Sequence, residues 1–106
     1  MPKKITIVSK NFIHFVSQEE IMFCQADGGY TTICLLNGKK LIRSKTLTAI
    51  IKELDCSSFV RVSQSYLVNI QHIFQIDKTN KSIELCNRDR IPFTVSIRDL
   101  LFLMGK

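Results

Sequence analysis

IMFCQADGGYTTICLLNGKKLIR, residues 21–43, decides what kind of fold this chain can adopt. Ile21–Ala26 and Tyr30–Leu36 are rich in β-branched and aromatic residues, with the side-chain period of two that strands require. Asp27-Gly28-Gly29 separates them and can supply the positive φ of a hairpin turn. Asn37-Gly38 is the strongest two-residue hairpin signal in the chain, and Lys39–Arg43 is its return strand. Three strands in a row joined by tight turns make an antiparallel meander, so the fold is built on β-structure.

The same rhythm extends to both sides. Ile5–Val8 and Phe12–Val16 form an N-terminal pair of strands around Ser9-Lys10-Asn11. Phe59–Val62, Ile70–Asp77, Ser82–Cys86 and Ile91–Val95 are further short strands, with turns at Lys78–Lys81 and Asn87–Asp89. Tyr66–Asn69 alternates as a segment that packs or pairs in a sheet, Asn69 being suited to bond local backbone. Two segments depart from period two. In residues 44–54, Leu47, Ile50, Ile51 and Leu54 fall at helical spacing behind Ser44 or Thr46 as cap, which predicts an amphipathic helix of about ten residues. Ser96 and Asp99 match a capping box ahead of Leu100–Leu103 and predict a second short helix, with Arg98 in its first turn pointing outward.

A chain of 106 residues with 45% apolar content has the size of a single domain and enough material for an ordinary core. Its 15 Lys and Arg against 9 acids give a net charge of +6. With a pI near 9.4, acidic partners such as nucleic acid move to the front. The apolar runs fall far short of the roughly 20 residues of a membrane span. The N-terminus lacks the apolar stretch and cleavage site of a secretory signal, so a cytoplasmic address is expected.

Little in the chain suggests catalysis or metal binding. Cys24, Cys34, Cys56 and Cys86 are too widely spaced for a zinc or redox motif. Three of them lie in alternating apolar patterns (IMFCQ, TTICLL, SIELC), where a thiol is expected as a small buried hydrophobe. His14 and His72 are isolated in strand-like runs, and structural or surface roles fit them better than metal ligation. The carboxylates are scattered, Gly28-Gly29 lacks the context of a phosphate cradle, and Ser63, Ser65 and Tyr66 have no nearby base. No enzyme, no cofactor and no metal are expected.

The basic charge, in contrast, is organised. Lys39, Lys40, Arg43 and Lys45 fall within residues 37–48 without an intervening acid. Such a group suits DNA phosphates, or equally a solvated face that keeps the domain soluble. Beside it stand side chains able to read base edges. Gln64 has the donor and acceptor to pair with adenine, Arg98 can pair with guanine, and Tyr30 can reach a sugar, phosphate or base edge.

ADGGYTTICLLNGKKLIRSKTLTAII, then FVRVSQSYLVNIQHIFQI, then IPFTVSIRDL resemble, in order and spacing, the LytTR family of bacterial DNA-binding domains. The likeness runs from about Ile5 to the C-terminus. It implies a mostly β fold of short antiparallel strands in small stacked sheets with two short helices, filling residues 1–106 as one LytTR-like domain without a receiver. It further implies transcription regulation by sequence-specific binding of double-stranded promoter DNA. Such domains bind as pairs on direct repeats, enter the major groove with loops, bend the duplex, and commonly answer to a receiver domain and sensor kinase of a two-component system.

Carried over by position, the base-reading roles fall on Tyr30, Gln64 and Arg98, and phosphate contacts on Arg43, Lys45, Ser65 and Ser96. Two departures stand out. Ser63-Gln64 replaces the His-Arg or His-Asn common before Ser-Tyr, and Ser96-Ile97-Arg98 carries one arginine rather than two. An altered preferred sequence is the first implication. The alternative is a protein-interaction domain that keeps the LytTR fold and has lost DNA binding.

Overall fold

The computed structural model describes residues 4–55 and 57–105. Among the described residues, ten strands form three antiparallel sheets. β1 (Lys4–Val8) and β2 (Ile13–Ser17) make a two-stranded sheet. β3 (Ile21–Asp27), β4 (Tyr30–Leu35), β5 (Lys40–Arg43), β6 (Phe59–Arg61) and β7 (Tyr66–Asn69) make a five-stranded sheet in the order β5-β4-β3-β7-β6. β8 (Ile73–Asp77), β9 (Ser82–Leu85) and β10 (Arg90–Pro92) make a three-stranded one. Helices α1 (Leu47–Ile51) and α2 (Ile97–Leu103) complete the element set expected from the sequence.

The five-stranded sheet is the middle layer, because both of its faces are apolar. On one side Cys24, Ile33 and Leu67 share a core with Ile5, Ile7 and Val16 of β1 and β2 and with Leu47, Ile50 and Leu54 from the α1 segment. On the other, Phe23, Cys34, Val60 and Val68 meet Ile83, Leu85 and Ile91 of the three-stranded sheet and Leu100 of α2. Burial on both faces explains why β3 opens with four consecutive buried residues rather than alternating ones. The ladder slips between Ile21 and Phe23, so that Met22 and Phe23 both serve the second core while Ile21 serves the first.

The β3–β4 turn follows the expected geometry. Asp27 pairs with Tyr30 across a two-residue loop, and Gly28 takes φ +62°. The β4–β5 turn is one residue longer than the Asn-Gly signal suggested. Gly38 N–H donates to Leu35 O, Leu35 N–H donates to Lys39 O, and Gly38 sits at φ +88°, leaving Leu36, Asn37 and Gly38 in the loop. A turn closed by a left-handed residue is the common three-residue solution, and Asn37 Oδ1 secures it by accepting from Lys39 N–H. Residues 85–89 repeat the arrangement with the same backbone bonds, an Asn at the same place, and Arg88 at φ +76° where the first loop has glycine.

That loop corrects the expectation for Cys86. Cys24 and Cys34 are buried as predicted, but Cys86 is exposed. The alternation of SIELC stops at Leu85, where β9 ends, and Cys86 takes the first loop position, as exposed Leu36 does in the other turn. Cys56 lies outside the described residues. Burial, with a smaller contribution from Cys34, pushes the Cys24 thiol up to about 12, and burial raises Cys34 as well.

Other boundaries shift. The run from Ile70 divides into a single 3-10 turn, Ile70–His72, followed by β8. Asn69 causes the break. Buried at 2% exposure, it accepts from Gln71 N–H through Oδ1 and donates through Nδ2 to Ile21 O at 2.9 Å. β10 covers Arg90–Pro92 rather than Ile91–Val95, because Thr94 and Val95 turn to donate to Val62 O. Helix α1 has five residues rather than about ten. Thr46 caps it by accepting from Ala49 N–H, and its far end tightens where Glu53 and Leu54 donate to Ile50 O and Ile51 O. Leu47, Ile50 and Leu54 are nonetheless buried, as the helical spacing required.

Candidate nucleic-acid interface

The strand registers bring Tyr30, Arg43, Gln64 and Ser65 to one end of the five-stranded sheet. Arg43 closes β5 opposite Thr31, next to Tyr30 at the start of β4. The neighbouring β3 ends at Asp27 and pairs through Gln25 with Tyr66, the first residue of β7. Ser63, Gln64 and Ser65 connect β6 to β7 at that same end. Ala26 N–H donates to Ser65 O at 2.8 Å, fastening this turn to the β3–β4 hairpin. On the far side Thr94 N–H donates to Val62 O at 3.0 Å, which brings the lead-in to α2 beside Gln64. Ser63, Gln64 and Thr94 accordingly line one shallow cleft.

Each candidate has a local reason for its place. Tyr30, 54% exposed, follows the tight glycine turn and belongs to neither core. Gln64 and Ser65 are exposed at a turn tip, where Ser63 Oγ accepts from Ser65 N–H. Ser96 is the N-cap of α2, accepting from Asp99 N–H through its hydroxyl at 3.0 Å, half of the predicted capping box. Arg98 is exposed in the first turn and lines an open depression with Ser96, Leu101 and Phe102, the last 79% exposed. Arg98, the second residue of α2, follows three residues after Val95 of the segment bonded to Val62.

Arg43 and Lys45 have a partner the linear sequence concealed. Glu53, eight residues beyond Lys45 and just past α1, receives Arg43 Nη1 at 2.6 Å and Lys45 Nζ at 3.2 Å. Partial burial would raise the Glu53 carboxyl, but hydrogen bonds from Arg43 and Lys45 and their positive charges outweigh it and hold the group below its ordinary value. Thr31 Oγ1 donates to Lys45 O at 2.8 Å, so the backbone leading into α1 is fixed to the sheet.

Arg61 is the residue that motif reasoning passed over. Its guanidinium donates to Ser63 O at 3.2 Å, to Gln64 O at 2.8 Å and to Thr48 Oγ1 of α1 at 3.1 Å. The planar fork of arginine suits such a task, holding two turn carbonyls and a helix hydroxyl in one plane of donors. The signal was present in the sequence: Arg61 is the only charged residue between Cys56 and Ile76. Among the described residues no cluster of His, Cys, Asp or Glu has the grouping of a metal site. His72 Nε2 lies 2.7 Å from Glu19 O, at the opposite end of the five-stranded sheet.

The comparisons with known proteins bear on this arrangement. The family model described as the LytTr DNA-binding domain matches residues 11–103. Two heme-containing CO-sensing transcriptional regulators of Paraburkholderia xenovorans (strain LB400), RcoM 1 and RcoM 2, are 29% and 27% identical to this chain over 86 residues. Those matches cover 81% of this chain but 32% of either relative, so the chain corresponds to about a third of their length. Among solved structures, the LytTr DNA-binding domain of a putative methyl-accepting/DNA response regulator from Bacillus cereus superposes with a TM-score of 0.80. It is 21% identical, with 97% of each chain covered. A fold shared over nearly the whole length, together with the family match, leads to one conclusion: this chain belongs to the LytTR family of DNA-binding domains, which act in transcription regulation.

Proposed function

We propose that the end of the five-stranded sheet carrying the 27–30 and 63–65 turns and the start of α2 docks into the major groove of promoter DNA. Tyr30, Gln64 and Arg98 then read base edges, while Arg43, Lys45, Ser65 and Ser96 contact phosphates. The observation that supports this reading is convergence: Tyr30, Arg43, Gln64 and Ser65, chosen by chemistry and motif position, lie at one end of the five-stranded sheet, and the lead-in to α2 is bonded to that end through Val62. Gln64 and Arg98 are exposed and unburdened by the cores, and each offers two hydrogen-bonding groups to a base edge. Ser65 and Ser96 flank them with hydroxyls, and Arg43 and Lys45 add positive charge along the β5 side.

On this reading the domain binds as a pair on direct repeats, in the bacterial cytoplasm. A receiver domain or other sensor, answering to a partner such as a sensor kinase, would govern when it does so. Selection of binding sites from a random duplex pool with the purified chain, followed by affinity measurement against salt, tests the proposal. Enrichment of a defined motif, with affinity falling steeply as salt rises, is the expected result. Failure to enrich any motif, with no salt-dependent affinity for DNA, favours the alternative of an interaction domain that has kept the fold alone.

A further inference from the structure

We propose that Glu53 is an internal stand-in for a DNA phosphate, occupying Arg43 and Lys45 in the free protein and giving them up on docking. The inference rests on the reading that this end of the sheet faces DNA. Its geometry is that of a bridged anion: one carboxylate oxygen takes Arg43 Nη1 at 2.6 Å and the other takes Lys45 Nζ at 3.2 Å. A phosphate bridging the same cations would make the same two charge-assisted bonds. The three side chains lie at the solvent boundary, with relative exposures of 15% for Arg43, 49% for Lys45 and 30% for Glu53. An incoming anion therefore meets Lys45 first and gains the more covered Arg43 as Glu53 gives way.

What exchanges is confined to side chains. The backbone of Lys45 is tied to Thr31, and Glu53 N–H is bonded to Ile50 O, so neither segment needs to move. The cations are thus kept ordered while their charge is neutralised locally. The consequence is a lowered sequence-independent attraction to DNA. Base-reading contacts do not involve Glu53, so its effect falls equally on every duplex.

The test compares the parent with Glu53→Gln on a short random-sequence DNA duplex and on a selected site. Glutamine keeps the shape and one acceptor oxygen but removes the competing charge. An exposed ion pair of this kind corresponds to an affinity gain of about two- to fivefold, expected on both duplexes alike. Glu53→Ala should act in the same direction. Two controls separate this from a general change in net charge. Glu19→Gln, at the opposite end of the five-stranded sheet, should give a distinctly smaller gain. In an Arg43→Gln, Lys45→Gln background, Glu53→Gln should give no more than the small general-charge gain of Glu19→Gln. Unchanged or weakened binding by Glu53→Gln, or an equal gain from Glu19→Gln, would overturn the inference. A parent chain that binds no DNA would instead bring down the functional reading, and this inference with it.

Discussion

The guanidinium of Arg61 donates to the backbone carbonyl of Gln64 at 2.8 Å, so the residue proposed to read a base is held in place by a neighbouring arginine. With its bonds to Ser63 O and Thr48 Oγ1, Arg61 joins the β6–β7 turn to α1. Arg61→Lys retains the charge and loses the fork. The expected outcome is a smaller ratio of affinity for a selected site over a random duplex, with the salt dependence unchanged. An Arg61→Lys variant that discriminates as well as the parent would show that the clamp does not position Gln64.

Arg98 and Lys45 should fail in different ways. Arg98→Ala is expected to weaken specific binding by about 1–3 kcal/mol and to relax preference at one base position. Lys45→Ala should weaken all duplexes by a similar factor and flatten the salt dependence. Binding to a panel of single-base variants of a selected site distinguishes the two patterns.

Asn69 joins elements far apart in sequence. Its Nδ2 donates to Ile21 O and Gln18 O, and its Oδ1 accepts from Gln71 N–H. Replacing it by Leu leaves buried backbone groups without partners, an expected loss of about 2–3 kcal/mol of stability. Chemical denaturation reads this directly; a loss within experimental error of zero would show that water replaces the amide.

Arg88 holds a left-handed conformation, φ +76°, at the loop position where the matching turn has Gly38. Arg88→Gly removes the Cβ conflict, for which non-glycine residues are penalised by about 1–2 kcal/mol, while glycine loses more backbone freedom on folding. A net stabilisation of about 0.5–1 kcal/mol is expected. Lower stability in the glycine variant would mean that the arginine side chain contributes more than its backbone strain removes.

Acid should destabilise the fold in a defined way. Hydrogen bonds from the backbone and side chain of Asn80 lower Asp77, and Glu53 is lowered because its bonds and charge pairing with Arg43 and Lys45 outweigh desolvation. A carboxylate lowered in the folded state stabilises it above its unfolded pKa, and that contribution disappears as pH falls through the folded value. Stability measured from neutral pH downward should therefore stay level until the ordinary carboxylate range and then decline. Asp77→Asn and Glu53→Gln should each reduce the decline.

The meander of residues 21–43 was legible because its period-two pattern and its glycine turns are local properties. The α1 face was legible for the same reason: Leu47, Ile50 and Leu54 are buried although the helix is half the expected length. Features that depend on distant partners were not. Glu53 looked like an ordinary helix-end acid until β5 and α1 folded its carboxylate onto Arg43 and Lys45. Cys86 followed an apolar alternation that has no meaning past the last paired residue of β9. That Tyr30 and Gln64 lie at the same end of the sheet could be expected from family resemblance alone, since nothing in their spacing measures the distance between separate turns.

The β6–β7 turn is held on several sides: by Ala26 N–H at Ser65 O, by Arg61 at Ser63 and Gln64, and through Val62 by Thr94. A tip restrained in this way has little freedom left to surrender on docking and little ability to mould itself to a partner. On the proposed reading, the adaptation passes to the duplex. Sequences that bend or unwind readily would then be favoured even at base pairs no side chain reaches, making DNA flexibility a second determinant of where this domain settles.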